Sequence, residues 1–405
     1  MMVKITDVRT VLLTGPSTND PFLREARQRR SVAFIEIVTD SEHIGLGETY
    51  AGYFLPEAVP QVVEFFRPIL IGQTVDDIPT LWQRMYHCGN FWGRVGIGAS
   101  ILGGIEAGLW DLKGKLEGVP VHQLLGGSKY DRLPCYATGG PSNYPEDRLA
   151  AKIDHYLSLG FLGIKLGVGR AINGVHSVDD NPQQAAEFEA RKIEFARNHA
   201  GEGIAFMLDG HMGNSATKTW KLETALAVAK ALEPFQLTFL EEPLHYTDLD
   251  GYAALTAASR TPIAGGECLT AFCEWQTFID RDCFHIGQPD ASYLTGLGPF
   301  MEVASALDIR GRKIATHAWG AAGSLMQNIH CGFAAPNTAI LEVAPDFGPL
   351  HSELLGDSFV MKDGFVLPPE QPGLGVRLTD DIKNRFPFVP GSGEFNSVPG
   401  KVLVG

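Results

Sequence analysis

The chain has 405 residues, of which 44% are hydrophobic and 20% are charged, and its formal net charge at pH 7 is -14. These are ordinary values for a globular protein, and no stretch of about 18 or more uninterrupted apolar residues suggests a membrane span. Nucleic-acid binding needs a clustered basic face, so the acidic balance disfavours a nucleic-acid partner. The six cysteines form no C-x-x-C pair, which disfavours a structural zinc site.

The N-terminal third predicts an α+β unit. Its first residues, MMVKITDVRTVLL, alternate like a strand and lack the basic flank, apolar core and cleavage site of a signal peptide, so we expect a cytoplasmic protein. Residues 3–13 and 31–50 predict three strands that pair locally in an antiparallel sheet. Residues 56–125 predict helices. The glycine-rich GNFWGRVGIG at 89–98 follows no strand, so we interpret it as a loop rather than a dinucleotide-binding turn.

After residue 130, short β-rich runs alternate with helical runs at a spacing of roughly 25 to 35 residues, as repeated βα units do. The candidate strands are residues 133–137, 161–167, 204–209, 237–242, 262–267, 283–288, 313–317 and 339–343. They predict an α/β fold in which a (β/α)8 barrel spans residues 131–351, with a doubly wound open sheet as the alternative. We expect residues 1–130 to form a capping domain, completed by the Pro- and Gly-rich residues 352–405.

Polar side chains stand at or just after the ends of seven candidate strands. They are Lys165, Asp209, Glu241, Glu267, Asp290, His317 and Glu342. In such a barrel the chemistry occurs at the C-terminal ends of the strands, so these side chains converge on one mouth. Three of them, Asp209, Glu241 and Glu267, supply the hard oxygen ligands that suit Mg²⁺. Without a cation, three anions in one mouth would repel each other and take up protons.

Several stretches together resemble the enolase superfamily, in its mandelate racemase-like subgroup, over essentially the whole chain. They are GIEAGLWDLKGKLEGVPVHQLLGG, GFLGIKL, the strand-terminal Asp209, FLEEPL, the Gly266 and Glu267 pair, QPDAS, ATHAW and LEV. The resemblance implies that Asp209, Glu241 and Glu267 bind one Mg²⁺ per subunit, with Glu242 as the alternative to Glu241. It also implies that Asp290 and His317 form a carboxylate–histidine dyad and that Glu342 donates a hydrogen bond to the substrate.

Such a site would act on a small-molecule carboxylate. His317 would remove the α-proton, and Asp290 would fix its tautomer and raise its basicity. Lys165 would neutralise the substrate carboxylate, and the metal with nearby donors would meet the charge of the enediolate. An ordinary salt bridge at the barrel rim is the alternative role for Lys165.

The sequence departs from many relatives at the second barrel strand. Those relatives carry K-x-K, with the second lysine as a base on the opposite face, whereas this chain reads K-L-G and has Gly167 there. Side chains alternate along a strand, so Gly167 points the same way as Lys165 but offers no base. A racemase or epimerase that needs a proton donor on each face is therefore disfavoured.

His211, two residues after Asp209, is the candidate general acid. In isolation a D-x-H sequence predicts a capping aspartate and a loop histidine. Beside a metal-bound substrate, however, His211 could protonate a departing β-hydroxyl, and D-x-H at this strand resembles sugar-acid dehydratases such as galactonate or mannonate dehydratase. We therefore expect an Mg²⁺-dependent dehydratase that converts an aldonate or aldarate to a 2-keto-3-deoxy acid.

The alternatives are a cycloisomerase acting on a sugar-acid lactone, an acid-sugar epimerase, and a non-catalytic barrel that binds a metal or a sugar acid. The last is disfavoured because the proposed ligands, dyad and Glu342 occur together. The resemblance implies that substrate choice depends on the loops at 15–30 and 48–56, which would cover the mouth. Their candidate substrate-binding residues are Arg24, Arg27, Arg29, Tyr50, Tyr53 and Phe54. For the basic stretch 24–30, a solvated loop is the alternative, and resemblance implies a homo-oligomer.

Overall fold

The computed structural model describes residues 3–23, 28–139, 144–172, 175–177, 181–214 and 219–391. Within these ranges, no helix combines the length and the apolar composition that a membrane crossing requires.

The N-terminal part is a three-stranded antiparallel sheet, in the order β1-β2-β3, covered by helices. Its strands are β1 (Ile5–Pro16), β2 (Arg29–Thr39) and β3 (Ile44–Thr49), and its helices are α1 (Ala51–Phe54), α2 (Val59–Leu70), α3 (Ile78–Gly93), α4 (Ile97–Glu117) and α5 (Val121–Leu124). Helix α4 lies close against β3 because glycines meet there, and a Cβ on Gly47 would overlap the carbonyl oxygen of Gly104. The loop predicted at 89–98 is wrong for residues 89–93, which form the last turn of α3, and for residues 97–98, which begin α4. Met85, Gly89 and Gly93 continue the buried face of α3 through this turn, whereas Phe91 and Trp92 lie on its exposed face.

The second part alternates strands and helices. Its elements are β4 (Leu133–Ala137), α6 (Glu146–Ser158), β5 (Gly163–Gly167), β6 (Arg170–Ile172), β7 (Val175–Ser177), α7 (Pro182–Ala200), β8 (Ala205–Asp209), α8 (Leu222–Leu232), β9 (Phe239–Glu241), α9 (Leu249–Ala258), β10 (Ile263–Gly265), α10 (Phe272–Asp280), β11 (Ile286–Gly287), α11 (Leu297–Ile309), β12 (Lys313–Ala315), α12 (Ala322–Ala334) and β13 (Thr338–Val343). Strands β4, β5 and β8 to β13 are parallel, and β13 pairs with β4. This closure confirms the (β/α)8 barrel and rules out the open sheet. The antiparallel pair β6 and β7 stands outside it.

Alternation along the strands explains why polar side chains gather at one end. One inward-facing layer is apolar and consists of Tyr136, Met207, Phe239, Ala264, Ile286, Ala315 and Ile340. Two residues further along β8, β9 and β13, side chains point inward again, and these are Asp209, Glu241 and Glu342. Three strands end earlier than the sequence predicts, since β10, β11 and β12 stop at Gly265, Gly287 and Ala315. Glu267, Asp290 and His317 consequently lie in the loops after those strands.

The C-terminal segment runs back to the N-terminal part. It contains α13 (Pro349–Leu355), β14 (Met361–Lys362), β15 (Phe365–Val366) and α14 (Asp380–Arg385), and β15 pairs antiparallel with β4. The Leu374 N–H donates to Asp111 on α4 at 2.6 Å. The Val389 N–H donates to Oγ1 of Thr14 on β1 at 3.0 Å. The tail therefore contacts helix α4 and strand β1. The assignment of residues 352–405 to the capping domain and the domain boundaries at 130 and 351 stay predictions.

Candidate active site

The mouth at the C-terminal ends of the barrel strands holds a cluster of charged side chains. Its carboxylates are Asp209, Glu241, Glu242, Glu267 and Glu342, and its cationic or titratable partners are Lys165, His211 and His317. All but Asp209 and His211 are less than one-tenth exposed. Burial makes an unbalanced charge costly, so the pairing among these groups decides their protonation.

Lys165 is the cation of one half of the cluster. Its Nζ donates to both carboxylate oxygens of Glu241, at 2.8 and 2.9 Å. It also lies 3.1 Å from Glu342 and 3.4 Å from Asp209. Burial lowers the pKa of Lys165, but these carboxylates outweigh burial and hold the pKa well above its usual value. The lysine is therefore a fixed positive charge inside the barrel.

Glu342 is the most strongly ionised carboxylate of the cluster. Burial raises its pKa, but Lys165 and then His317 lower it, and the net result is about 2. Its Oε2 also accepts a hydrogen bond from the Ala318 N–H at 2.7 Å. An ionised Glu342 can accept a hydrogen bond but has no proton to donate. The donor role that resemblance implies would need the carboxyl to take up a proton first.

His317 and Asp290 form the dyad expected from the sequence. Nδ1 of His317 lies 2.7 Å from Oδ2 of Asp290, and its Nε2 faces the mouth, 3.6 Å from Oε2 of Glu267. Oδ1 of Asp290 accepts hydrogen bonds from the N–H and the hydroxyl of Ser292, both at 2.7 Å, and from the Asn328 amide at 2.9 Å. Burial lowers the pKa of His317, but the surrounding carboxylates outweigh burial and raise it to about 10.

Sequence reasoning missed Ser292 and Asn328 as partners of Asp290. Ser292 belongs to the QPDAS stretch, and a serine two residues after an aspartate is a common partner for a local hydrogen bond. Asn328 lies on α12, and its distance of 38 residues along the chain leaves no local signal.

His211 stands in the open mouth with a left-handed backbone. Its φ is 48°, and its N–H donates to Oδ1 of Asp209 at 2.7 Å. Nδ1 lies 3.5 Å from Oε1 of Glu267 and 4.0 Å from both Asp209 and Glu242. The side chain is 71% exposed. Desolvation lowers the pKa of His211, but Glu267 and the other carboxylates raise it to about 9.

The negative charge of the mouth suits a divalent cation. Burial and Asp209 raise the pKa of Glu241 to about 8 despite Lys165, and burial followed by Glu242 raises the pKa of Glu267. Carboxylates whose charged forms are disfavoured by burial and by one another are a donor set that a hard cation would complete. The residues present therefore fit a metal ion such as Mg²⁺.

The tightest ligand cluster differs from the set that the sequence predicts. Among the described residues, the group whose ligand atoms all lie within 4.8 Å of one another is His211, Glu242 and Glu267. Asp209 and Glu241 lie in the same mouth but are paired with Lys165. The assignment of Asp209, Glu241 and Glu267 as the ligands accordingly stays a prediction.

Hydrogen bonds to both carboxylate oxygens fix the side chain of Glu242. Its Oε1 accepts a hydrogen bond from the Tyr246 hydroxyl, its Oε2 accepts one from the Gly213 N–H at 3.2 Å, and its φ is 40°. The same Tyr246 oxygen accepts the Gly266 N–H at 2.7 Å. Tyr246 thus ties Glu242 to the loop that carries Glu267. Sequence reasoning did not identify this tyrosine.

Gly167 ends β5 beside Asp209 of β8. Its carbonyl oxygen accepts a hydrogen bond from Nζ of Lys192 at 2.9 Å, and Lys192 also pairs with Glu189 on its own helix α7. Among the described residues, Lys165 is the one lysine within ion-pair distance of the mouth carboxylates. No described lysine therefore takes the position opposite His317 that the missing K-x-K lysine would occupy.

Aromatic residues of the capping domain border His317. The Tyr50 ring lies 5.7 Å from the His317 ring and stacks on Tyr53 at 5.1 Å. Tyr53 is 3% exposed, and its hydroxyl accepts the Trp319 indole N–H at 3.0 Å. The Phe54 ring packs against Tyr50 at 4.9 Å. Tyr50 thus lies next to the dyad, while Tyr53 supports it from behind.

The basic loop is only partly described. Arg24 and Arg27 lie outside the described residues, and Arg29 begins β2 with an exposed side chain. Their suggested contact with a distal substrate carboxylate stays a prediction.

Comparison with known proteins covers both parts of the fold. Residues 8–126 match the family described as mandelate racemase / muconate lactonizing enzyme, N-terminal domain. Residues 148–382 match the family described as enolase C-terminal domain-like.

Individual relatives span nearly the whole chain. Arabinonate dehydratase of Saccharolobus solfataricus is 28% identical over 394 residues, which cover 94% of this chain and 99% of the relative. The 3,6-anhydro-alpha-L-galactonate cycloisomerase of Streptomyces coelicolor is 30% identical over 336 residues, which cover 82% and 85%. The crystal structure of L-talarate dehydratase from Polaromonas sp. JS666, complexed with Mg and L-glucarate, has a TM-score of 0.77 at 29% identity and covers 95% of this chain and 98% of that one.

Proposed function

The chain belongs to the enolase superfamily, in the group of mandelate racemase and muconate lactonizing enzyme, and from this we propose that it is an Mg²⁺-dependent sugar-acid dehydratase. The substrate would be an aldonate or aldarate, and the product a 2-keto-3-deoxy acid. The observation that carries the proposal is that two imidazoles flank one carboxylate. Nδ1 of His211 and Nε2 of His317 lie 3.5 and 3.6 Å from the two oxygens of Glu267.

His317 is the proposed base. In the neutral form that acts as the base, the Nδ1–H points at Asp290, so the lone pair is on Nε2 and faces the mouth. Glu267 is the carboxylate that contributes most to the raised pKa of His317, and a cation bound to Glu267 would oppose that effect and favour the neutral form. A general base of this kind typically contributes 10²- to 10⁴-fold to a rate, by taking a proton as it leaves carbon. The fully hydrogen-bonded Asp290 stabilises the imidazolium that results.

His211 is the proposed acid. In a dehydratase, the proton it donates would go to the β-hydroxyl, the Cβ–O bond would break, and water would leave as the Cα=Cβ bond forms. The enol that remains takes a proton at the β-carbon and becomes the 2-keto-3-deoxy acid. Desolvation lowers the pKa of His211, but Glu267, Asp209 and Glu242 raise it, and the protonated form that they favour is the form that a general acid needs.

Charge in the mouth supports a carboxylate substrate. Lys165 would stabilise the negative charge that develops when the α-proton leaves, since its pKa is held well above the usual value. Asp209, Glu241 and Glu267 would hold the metal ion, with Glu242 as the alternative to Glu241. When bound, such an ion would neutralise the substrate carboxylate and lower the energy of the charge that develops there. Tyr50 would form the wall beside the α-carbon.

A cycloisomerase of a sugar-acid lactone is the second candidate. It needs the same base and metal but a ring oxygen as leaving group, and one relative at 30% identity is a cycloisomerase of an anhydro sugar acid. An epimerase is disfavoured, because Gly167 provides no second base and no other described lysine reaches the mouth.

The test is a screen of sugar mono- and diacids with Mg²⁺ in D₂O. Formation of a 2-keto acid and deuterium at the α-carbon of recovered substrate are measured together. Keto acid from one substrate, abolished by chelating the metal and by His317→Asn, supports the dehydratase. Exchange at the α-carbon without keto acid, or a lactone converted without loss of water, overturns it in favour of an epimerase or a cycloisomerase.

A further inference from the structure

Residues 318–321, here called the base loop, connect His317 to helix α12. Two capping-domain side chains of opposite charge hold this loop. Arg30 on β2 donates from Nη1 to the carbonyl oxygens of Trp319 and Gly320, the latter at 3.0 Å. Its guanidinium also lies over the Trp319 ring, 4.1 Å from the centroid. Arg30 therefore binds the carbonyl groups of the base loop.

Glu48 on β3 binds backbone N–H groups at the end of the base loop and the start of α12. Its Oε1 accepts the Ala321 N–H at 2.7 Å, and its Oε2 accepts the Ser324 N–H at 3.0 Å. These N–H groups belong to the N-terminal end of the 13-residue helix α12, where a carboxylate is favourable. The backbone of Glu48 donates in turn to Gln327 on the same helix at 2.8 Å.

The side chain of Glu48 is tightly packed against two glycines. A Cβ on Gly323 would lie 2.7 Å from Cβ of Glu48, and a Cβ on Gly320 would lie 3.0 Å from its Oε1. Arg30 and Glu48 are each only 1% exposed. A packing role could be filled by apolar side chains, whereas a buried guanidinium and a buried carboxyl group are costly unless they are hydrogen-bonded. Here Arg30 donates to carbonyl groups of the base loop, and Glu48 accepts from the Ala321 N–H and from the Ser324 N–H in the first turn of α12.

We propose that Arg30 and Glu48 form a clamp that positions His317. The loop end next to the histidine is fixed by the Ala318 N–H, which donates to Glu342. On the other side of the histidine, its own N–H donates to the Pro289 carbonyl at 3.2 Å. The clamp fixes residues 319–321, the rest of the base loop. The imidazole of His317 is thereby held in one position relative to the mouth. The importance of that position rests on the proposed function of His317 as the base.

The first test is kinetic, with Glu48→Gln and Arg30→Lys. Glutamine has the shape of Glu48, but its NH₂ group faces one of the two N–H donors. Lysine keeps the charge of Arg30 but loses the planar fork. Both variants should lower kcat for α-proton exchange roughly 10- to 100-fold, the loss expected from a misplacement on the order of 1 Å. KM should change less than about 3-fold, because binding groups are untouched.

Glu106→Gln is the matched control. Glu106 is a buried carboxylate on capping helix α4 that accepts the Leu297 N–H at 2.7 Å and the Gly298 N–H at 3.1 Å, at the start of α11. The substitution repeats the same chemistry at another barrel helix, away from His317. It should lower the unfolding temperature about as much as Glu48→Gln while kcat per folded molecule stays within about 3-fold. Equal loss of kcat in both variants, or a rise in KM in place of the fall in kcat, overturns the clamp.

A substrate-independent measurement separates the clamp from the proposed reaction. The Nδ1–H of His317 is followed by NMR in protein with ¹⁵N-labelled histidine, and His317→Asn assigns the signal. Exchange of this proton with water should be slow in the wild type and in Glu106→Gln but fast in Glu48→Gln and Arg30→Lys. If no sugar acid turns over, this pattern still supports the clamp while the proposed function fails. Unchanged exchange in all variants overturns the clamp, whatever the turnover.

Discussion

Nδ1 of His317 lies 2.7 Å from Oδ2 of Asp290, a carboxylate whose other oxygen accepts three further hydrogen bonds. That geometry leaves one imidazole nitrogen for chemistry. His317→Asn should therefore reduce α-proton exchange by about 10³-fold or more, within the range for loss of a general base. Binding of Mg²⁺ should survive, since His317 is not one of the proposed metal ligands. Exchange at the wild-type rate, measured by NMR in D₂O, would mean that another group is the base.

His211→Asn should separate the two halves of the proposed reaction. Asparagine tolerates the left-handed φ of 48° at this position, so the fold should be unaffected. Without the acid, 2-keto acid formation should fall roughly 10²-fold or more, while deuterium still enters the α-carbon through His317. Coupled assays of keto acid and α-deuterium on one sample give this ratio. Equal loss of both signals would remove His211 from the elimination step.

Paired substitutions should identify the metal ligands. Glu241→Gln should weaken Mg²⁺ binding by more than about 100-fold, and Glu242→Gln by about 10-fold, the lower end for a group that only supports a ligand. This order follows the ligand set that the resemblance implies, since hydrogen bonds engage both oxygens of each carboxylate, from Tyr246 and Gly213 to Glu242 and from Lys165 to Glu241. Isothermal titration with Mg²⁺ measures both affinities. The reverse order would make Glu242 the ligand, in line with its place in the tightest cluster.

Two buried histidines should make the protein less stable in acid. Burial, more than any neighbouring charge, lowers the pKa of both His330 and His351 from 6.5 to about 3. The unfolded chain binds protons below pH 6.5 that the folded chain excludes, so the free energy of unfolding falls as pH drops from 6.5 towards 3. At pH 5 the loss is about 2 kcal/mol for each histidine.

The slope of the urea unfolding midpoint between pH 7.5 and 5 tests this. His330→Gln and His351→Gln should each flatten the slope, whatever they do to stability at pH 7.5. The exposed His87 offers a control, and His87→Gln should leave the slope as it is. A slope that is the same in all four proteins would show that other groups dominate acid unfolding.

Gly266→Ala should disturb the metal site through the backbone. Gly266 has a φ of 114°, and an added Cβ would overlap the ring of the buried Trp275. We expect a loss of about 2 to 3 kcal/mol in unfolding free energy and weaker Mg²⁺ binding, since Glu267 is the next residue. Gly203→Ala is the control. Gly203 also has a positive φ, of 85°, but a Cβ added there would have no atom within 4 Å. Equal destabilisation by the two substitutions would exclude the clash with Trp275 as the cause.

Local pattern was enough to predict the barrel and the convergence of its polar strand ends. Period-2 alternation relates Met207 to Asp209 and Phe239 to Glu241, so a run of apolar residues ending in an acid predicts both the strand and the direction of the acid. Alternation did not predict where β10, β11 and β12 end. Their hydrogen-bonded pairing stops before Glu267, Asp290 and His317, because the chain there turns to form the mouth.

The partners of the site residues could not be predicted in this way. Glu48 accepts from Ala321 across 273 residues, and Arg30 donates to Gly320 across 290. From the sequence alone, Arg30 and Glu48 would be taken for solvent-exposed charges on two paired strands. They are buried because the capping sheet packs against the barrel. The hydrophobic periodicity of a single segment does not predict this packing. The same holds for Tyr246, whose role depends on the neighbouring strand loop.

The hydrogen bond between Val389 and Thr14 joins residues 375 positions apart. At about 5 to 20 residues per second, synthesis of the stretch between them takes roughly 20 to 75 s. During that interval strand β1 has its β2 partner but lacks the C-terminal segment that later bridges to Leu13. An uncovered strand edge can pair with another chain. An unfinished chain that lacks this segment therefore leaves the edge of β1 open to pairing with another chain.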